Sequence, residues 1–338
     1  MAQPPVSSES QEQRVREFVD AYQSLRAEVG KIIVGHTDVV GQIMIGLFAG
    51  GHVLLEGVPG LGKTLLVKTL AESLELSFSR IQFTPDLMPG DIIGTNIIVE
   101  DAQGRKHFQF QRGPIFGHIL LADEVNRATP KTQSALLEGM QEGAVTVSGA
   151  AHPLPAPFFV LATQNPIEME GTYPLPEAQL DRFLFKVMVP FPSEQDLVTI
   201  MDRTTGADTV TASKVTTAAE IVEMQRLARA VPIAPHVTAY AVSVLAATHP
   251  DQPRAPELVR EYVRYGGSPR GAQALVTAGK IFALLDGRFN VSVDDIRAAA
   301  LPSLRHRIIL NFEGEAEGIT TEATVRAILD TVAPPAVE

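Results

Sequence analysis

Apolar residues recur along the chain with two different periods, and the change between them outlines the fold. Val15, Phe18, Val19, Tyr22, Leu25 and Val29 fall mostly three or four positions apart, which predicts an amphipathic helix over residues 9–29. A second helix is expected over 37–49, ended by Gly50 and Gly51. His52-Val53-Leu54-Leu55-Glu56 is a run of strand length, and helical spacing returns over 63–74 through Leu66, Val67, Leu70 and Leu74. The pattern is irregular over 78–111, with extended pieces at 80–83 and 96–99 around a Pro- and Gly-rich stretch, and reads as an insertion. The apolar run 118–122 suits a central parallel strand buried on both faces. Thr129-Pro130 then predicts a helix start with a capping hydroxyl, and Gly143 follows the helix end.

Alternation of Val145 and Val147 with Thr146 and Ser148, then a turn at Gly149, predicts a projecting hairpin within 144–157. Strands are expected over 158–162 and 184–189. After Pro190 and Pro192 strand-like runs stop and helical periodicity takes over, as in 221–228, 237–247, 273–285 and 293–300. The expected division is an N-terminal helix and tail at 1–30, an α/β parallel-sheet domain at 31–191, a smaller all-α domain at 192–332 and a tail at 333–338. No repeat of fixed period is visible.

Composition narrows the class. With 338 residues, 45% hydrophobic and 20% charged, the chain has room for one large or two modest cores. The net charge of -11 and the lack of Trp argue against a nucleic-acid binder, and Cys at 0 excludes disulfides, thiolate metal sites and a cysteine nucleophile. The polar first residues do not form a secretory signal, and the apolar stretch 43–55 is interrupted by glycines and too short to span a membrane. A soluble, cytoplasmic protein is expected.

The chemistry concentrates in Gly57-Val58-Pro59-Gly60-Leu61-Gly62-Lys63-Thr64, between a strand and a helix. Glycines there let backbone N–H groups curl around phosphate oxygens at the positive end of the helix, and Lys63 adds a mobile charge. The candidate ATP-binding residues of this loop are Pro59, Gly60, Leu61, Gly62, Lys63, Thr64 and Leu65, together with Asp123. Thr64 and Asp123 are the candidate Mg²⁺ partners, a hydroxyl in the first helical turn and a carboxylate at the end of a buried strand. Glu124 is placed to orient or deprotonate the attacking water. Asn165, at the tip of the next strand, can accept from that water and donate to a terminal phosphate, although Asn-Pro is also a common turn. Arg182 and Arg270 are candidates for the transferring phosphate: Arg182 from a neighbouring subunit, Arg270 by closing its own domain over the nucleotide.

Together these segments resemble the MoxR family of AAA+ ATPases over nearly the whole chain. The likeness is carried by 51–64, by Leu121-Ala122-Asp123-Glu124-Val125-Asn126-Arg127-Ala128, by Ala162-Thr163-Gln164-Asn165-Pro166, by 176–183 and by Gly267-Ser268-Pro269-Arg270. Val125 stands where the family pattern has Ile, one apolar residue for another. The resemblance implies a P-loop domain with an α-helical lid, Asn165 as sensor 1, Arg182 as arginine finger with Arg127 as a second intersubunit candidate, and Arg270 as sensor 2. It implies that Val34 and Gly35 lie in the adenine-contacting turn, that an insert within 80–94 and the hairpin at 144–157 face a central pore, and that the chain forms a ring, usually a hexamer. Partners of such rings usually carry von Willebrand factor A domains, which nothing in this chain's own pattern indicates. A chelatase-type metal-insertion motor and a nucleotide-gated scaffold with little turnover are the alternatives. A GTPase is disfavoured, because no Asn-Lys-x-Asp-like segment follows the last strands.

Overall fold

The computed structural model describes residues 8–58, 60–165, 172–206 and 210–334. Two helices, α1 (Ser8–Ile32) and α2 (Thr37–Ala49), precede strand β1 (Val53–Glu56). After the Gly-rich loop come α3 (Lys63–Ser73), β2 (Phe78–Gln82), α4 (Pro89–Ile93), and the hairpin of β3 (Gly94–Glu100) and β4 (Lys106–Arg112). β5 (Ile119–Asp123) leads to α5 (Pro130–Glu142), a second hairpin of β6 (Ala144–Val147) and β7 (Ala150–Pro153), β8 (Phe159–Gln164), α6 (Glu177–Leu180) and β9 (Phe185–Met188).

The remainder is helical: α7 (Glu194–Thr205), α8 (Ala218–Ala230), α9 (Pro235–Ala246), α10 (Glu257–Tyr262), α11 (Pro269–Leu285), α12 (Val293–Leu304), α13 (Phe312–Ala316) and α14 (Thr321–Thr331). One antiparallel ribbon interrupts it, β10 (Val263–Tyr265) with β11 (Ile309–Leu310), a pairing too short to leave a periodic signal in the sequence.

Five strands form a parallel sheet in the order β2-β5-β8-β1-β9. The apolar runs are continuous because both faces are covered. Val53, Leu55, Ile119, Leu121, Phe159 and Leu161 point into one core with α1, α2, α3 and the C-terminal helices. Leu54, Leu120, Ala122, Val160 and Ala162 point into the other, against α4 and α5. The helical C-terminal region is therefore continuous with the core on one face of the sheet.

Two expectations shift. Arg80 lies not in an insertion but in β2, an edge strand of the main sheet, and the irregular stretch that follows holds the β3–β4 hairpin, in addition to the β6–β7 hairpin expected within 144–157. The outer face of the β3–β4 hairpin alternates too weakly to mark its start. Thr129 occupies the N-cap of α5 without a side-chain cap bond, its hydroxyl lying 3.3 Å from that of Thr132. The two hairpins touch: Asn96 Nδ2 donates to Ser148 Oγ at 3.0 Å, and the Phe110 and His152 rings stack at 4.0 Å. Among the described residues no helix is long and apolar enough to cross a membrane.

Candidate active site

The carboxyl edge of the sheet gathers most of the candidate residues. β1 ends at Glu56, paired with Gln164 of β8, and Gly57 N donates to Gln164 O at 3.4 Å. That register sets the start of the glycine loop beside Asn165, which is buried. β5 delivers Asp123 and Glu124 to the same edge. Gly60 and Gly62 hold φ of 84° and 72°, left-handed values that L side chains adopt only with strain. A Cβ built on either meets nothing within 4 Å, so the loop presents backbone, not side chains, to the space it encloses. α3 starts at Gly62 with no capping side chain, which leaves its positive end to the loop's contents. Pro59 and Pro166 lie outside the described residues.

Lys63 Nζ donates to Gly57 O at 2.7 Å. Burial lowers its pKa, against the opposing pull of the Asp123 and Glu124 charges, so the ammonium is already within electrostatic reach of both carboxylates. Thr64 is half-buried and Leu65 is exposed. A hydroxyl in the first turn of α3 and a carboxylate at the end of β5 make a hard-oxygen donor set, which fits Mg²⁺ holding most of its own waters.

The carboxylates are held by neighbours that sequence reasoning had underweighted. Thr163, fully buried, donates from Oγ1 to Asp123 Oδ1 at 2.6 Å and accepts from Glu124 N at 2.8 Å. Arg80 Nη2 pairs with Asp123 Oδ2 at 2.7 Å, and Gln82 Nε2 and Arg127 Nη1 donate to Glu124 Oε2 at 2.8 and 2.9 Å. Arg127, an intersubunit candidate from sequence, is thus in contact with Glu124 of its own chain. Glu124 itself sits at φ 55°, ψ 50°, a left-handed conformation that is uncommon for a non-glycine residue and is stored at functional turns. Val34 and Gly35 form the turn before α2, where a Cβ on Gly35 would come 2.9 Å from the Asp196 carboxyl in the first turn of α7.

The two remaining arginines are elsewhere. Arg182 and Arg270 line a pocket of about 480 Å³ with Gly51, Asp181, Arg229 and Arg307. Gly51 precedes β1 and Leu184 precedes β9, so this pocket lies at the amino edge of the sheet. The four-residue β1, rising about 3.3 Å per residue, separates the edges by about 13 Å. Arg270 therefore does not close over the glycine loop of its own chain. Asp181 explains where it goes: its carboxylate accepts from Ser268 Oγ at 2.7 Å and Arg307 Nε at 2.9 Å, with Arg270 Nη1 at 3.6 Å. Arg307 also donates to the backbone oxygens of Asp181, Phe183, Leu184 and Ser303 and is nearly buried, a structural clamp on α6 and β9. Among the described residues Arg182 Nε is buried without a hydrogen-bond partner.

Comparison with known proteins shows the family. Residues 52–185 match the ATPase family associated with various cellular activities (AAA), and 255–328 match the AAA lid domain. Chaperone MoxR1 of Mycobacterium tuberculosis is 44% identical over 310 residues, 92% of this chain and 81% of its own. Protein MoxR of Methylorubrum extorquens is 31% identical over 338 residues, 94% of this chain and 96% of its own. The chain belongs to the MoxR family of AAA+ ATPases. A crystal structure from Cytophaga hutchinsonii, described there as a candidate ATPase, superposes with a TM-score of 0.90 at 40% identity, covering 97% of this chain and 99% of that one. The parallel sheet with its helical C-terminal region is accordingly the AAA domain and lid of a MoxR-type protein.

Proposed function

We propose that this MoxR-type chain binds ATP with Mg²⁺ at the carboxyl edge of its sheet and hydrolyses it within a ring of its own copies, to remodel or activate a partner protein. One observation carries the reading. The loop, Asp123, Glu124 and Asn165 converge at one edge, whereas Arg182 and Arg270 stand together at the other, so each half-site needs the opposite edge of another copy. Head-to-tail contacts of that kind close into rings. A hexamer is the expected size, and a partner with a von Willebrand factor A domain is proposed from the family resemblance.

The residues divide the work. Backbone N–H groups around Gly60 and Gly62, the positive end of α3 and Lys63 hold the phosphates. Thr64 and Asp123 would hold Mg²⁺, which when bound neutralises charge on the phosphate oxygens. Glu124 orients the attacking water and draws its proton, and Thr163, through the Glu124 backbone, fixes where that carboxylate starts. Asn165 can bridge water and terminal phosphate. Arg182 and Arg270 of a neighbouring copy supply positive charge to the phosphate being transferred.

Exchanging Glu124 for Gln keeps the size and removes the base. Glu124→Gln is expected to bind nucleotide as the parent does while turnover falls about 10²-fold or more, measured by phosphate release. Lys63→Ala should instead weaken nucleotide binding itself. Normal turnover in Glu124→Gln would overturn the assignment.

A further inference from the structure

The carboxylates of the site are tied to the neighbouring strand by a closed circuit of hydrogen bonds. Gln82 of β2 is in register with Asp123 of β5. Arg80 Nη2 donates both to Asp123 Oδ2 at 2.7 Å and to Gln82 Oε1 at 2.9 Å, and Gln82 Nε2 reaches Glu124 Oε2 at 2.8 Å. Thr163 closes the circuit through Asp123 Oδ1 and the Glu124 backbone. Exposure shows which side is open: the Arg80 side chain is 47% exposed and that of Asp123 12%. Thr163 takes the inner oxygen of Asp123 from within the core. The other oxygen, Oδ2, is the one that Arg80 holds.

We propose that Arg80 is a built-in competitor of the divalent cation at Asp123 and sets the free Mg²⁺ concentration at which the site retains nucleotide. The proposal rests on the reading of Asp123 as the carboxylate that holds magnesium through its water. A metal-bound water reaching Oδ2 must share or displace the guanidinium. A fixed positive charge about 5 Å from a divalent ion weakens its binding by about tenfold even in water-like surroundings. Arginine stays charged at any physiological pH, so the opposition is permanent and is lifted only by moving the side chain. Half-exposure gives the side chain room to move. Arg80 is on this account a positioning residue: its effect is on the carboxylate, not on the reacting phosphate.

The test is a Mg²⁺ titration of binding of a fluorescent ADP analogue to the full chain, which needs no turnover. Arg80→Gln is expected to move the midpoint to about tenfold lower Mg²⁺ while binding in EDTA stays as in the parent. Arg80→Lys keeps the charge and should stay within about twofold of the parent midpoint. A parent-like or higher midpoint in Arg80→Gln overturns the proposal, as does a shift in Arg80→Lys as large as that in Arg80→Gln. If Arg80→Gln does not fold, as judged by thermal unfolding, Arg80→Met carries the same prediction with a better-matched stem. Asp123→Asn reports on the underlying reading: it should abolish the Mg²⁺ response, and a parent-like midpoint there would remove Asp123 as the metal's partner whatever Arg80 does.

Discussion

Thr163 joins the two acidic roles through a single hydroxyl, since it holds the Asp123 carboxylate with its hydrogen and the Glu124 backbone with its lone pair. Valine matches its shape and offers neither, leaving a Glu124 N–H without its acceptor in an enclosed place. Thr163→Val is expected to cost about 1–3 kcal/mol of stability and to lower turnover by tenfold or more, with Thr163→Ser close to the parent. Urea unfolding and phosphate release check the two parts separately. The sequence made Asp123 and Glu124 legible because their neighbours in the chain define them, a strand before and a turn after. Arg80, Gln82 and Thr163 stand roughly 40 positions away from the groups they hold, and only strand pairing brings them in, so no local spacing announces them. Histidine shows the same limit. His52 is buried, accepts at Nδ1 from Val160 N at 3.1 Å and meets Met140 O with Nε2 at 3.1 Å. Burial pulls its pKa from 6.5 to about 4 against the raising effect of the Met140 bond, and burial lowers His306 likewise. The folded state thus favours the neutral ring. Its contribution is complete above pH 6.5 and is lost as the pH falls toward 4, by roughly 3 kcal/mol at most for His52. Urea unfolding should show stability declining from pH 7 to pH 5, more shallowly in His52→Gln.

The packing of α2 against β1 shows how an element can depend on a missing side chain. A Cβ on Gly46 would come 2.4 Å from Val53 Cγ2 and 3.7 Å from the Phe159 ring, so the helix backbone rests directly on the sheet. Gly46→Val should force the two apart and cost about 1–3 kcal/mol, read as a lower urea midpoint with an unchanged m-value. Because β1 leads straight into the glycine loop, ADP binding should weaken in the same variant. Elements with a strong one-sided or two-sided apolar pattern were legible: α1 and α2, the runs of β1, β5, β8 and β9, and α8, α9, α11 and α12. The β3–β4 hairpin was not bounded correctly, because Ile98 and Phe108 pair across it on an exposed face, 63% and 75% accessible, and a strand without a buried face carries no alternation to read.

On the scale of the molecule, the decisive fact is the distance between halves. The loop lies beyond the carboxyl end of β1 and the arginine pocket before its amino end, so no motion of a single side chain unites them within one chain. If Arg182 serves the loop of the next copy, Lys63→Ala and Arg182→Ala chains are each inactive alone but complementary together. In randomly mixed rings a productive interface needs an Arg182→Ala chain supplying the loop and a Lys63→Ala chain supplying the arginine, which is about one interface in four. The mixture should then recover up to about a quarter of the parent turnover per site, rising and falling with the mixing ratio and greatest at equal amounts. Phosphate release measured across ratios, with mixed assembly established by differently tagged chains, checks the curve. Flat, absent recovery in rings known to be mixed would mean that Arg182 does not act across the interface, and the arginine pocket would revert to a structural clamp built around Asp181.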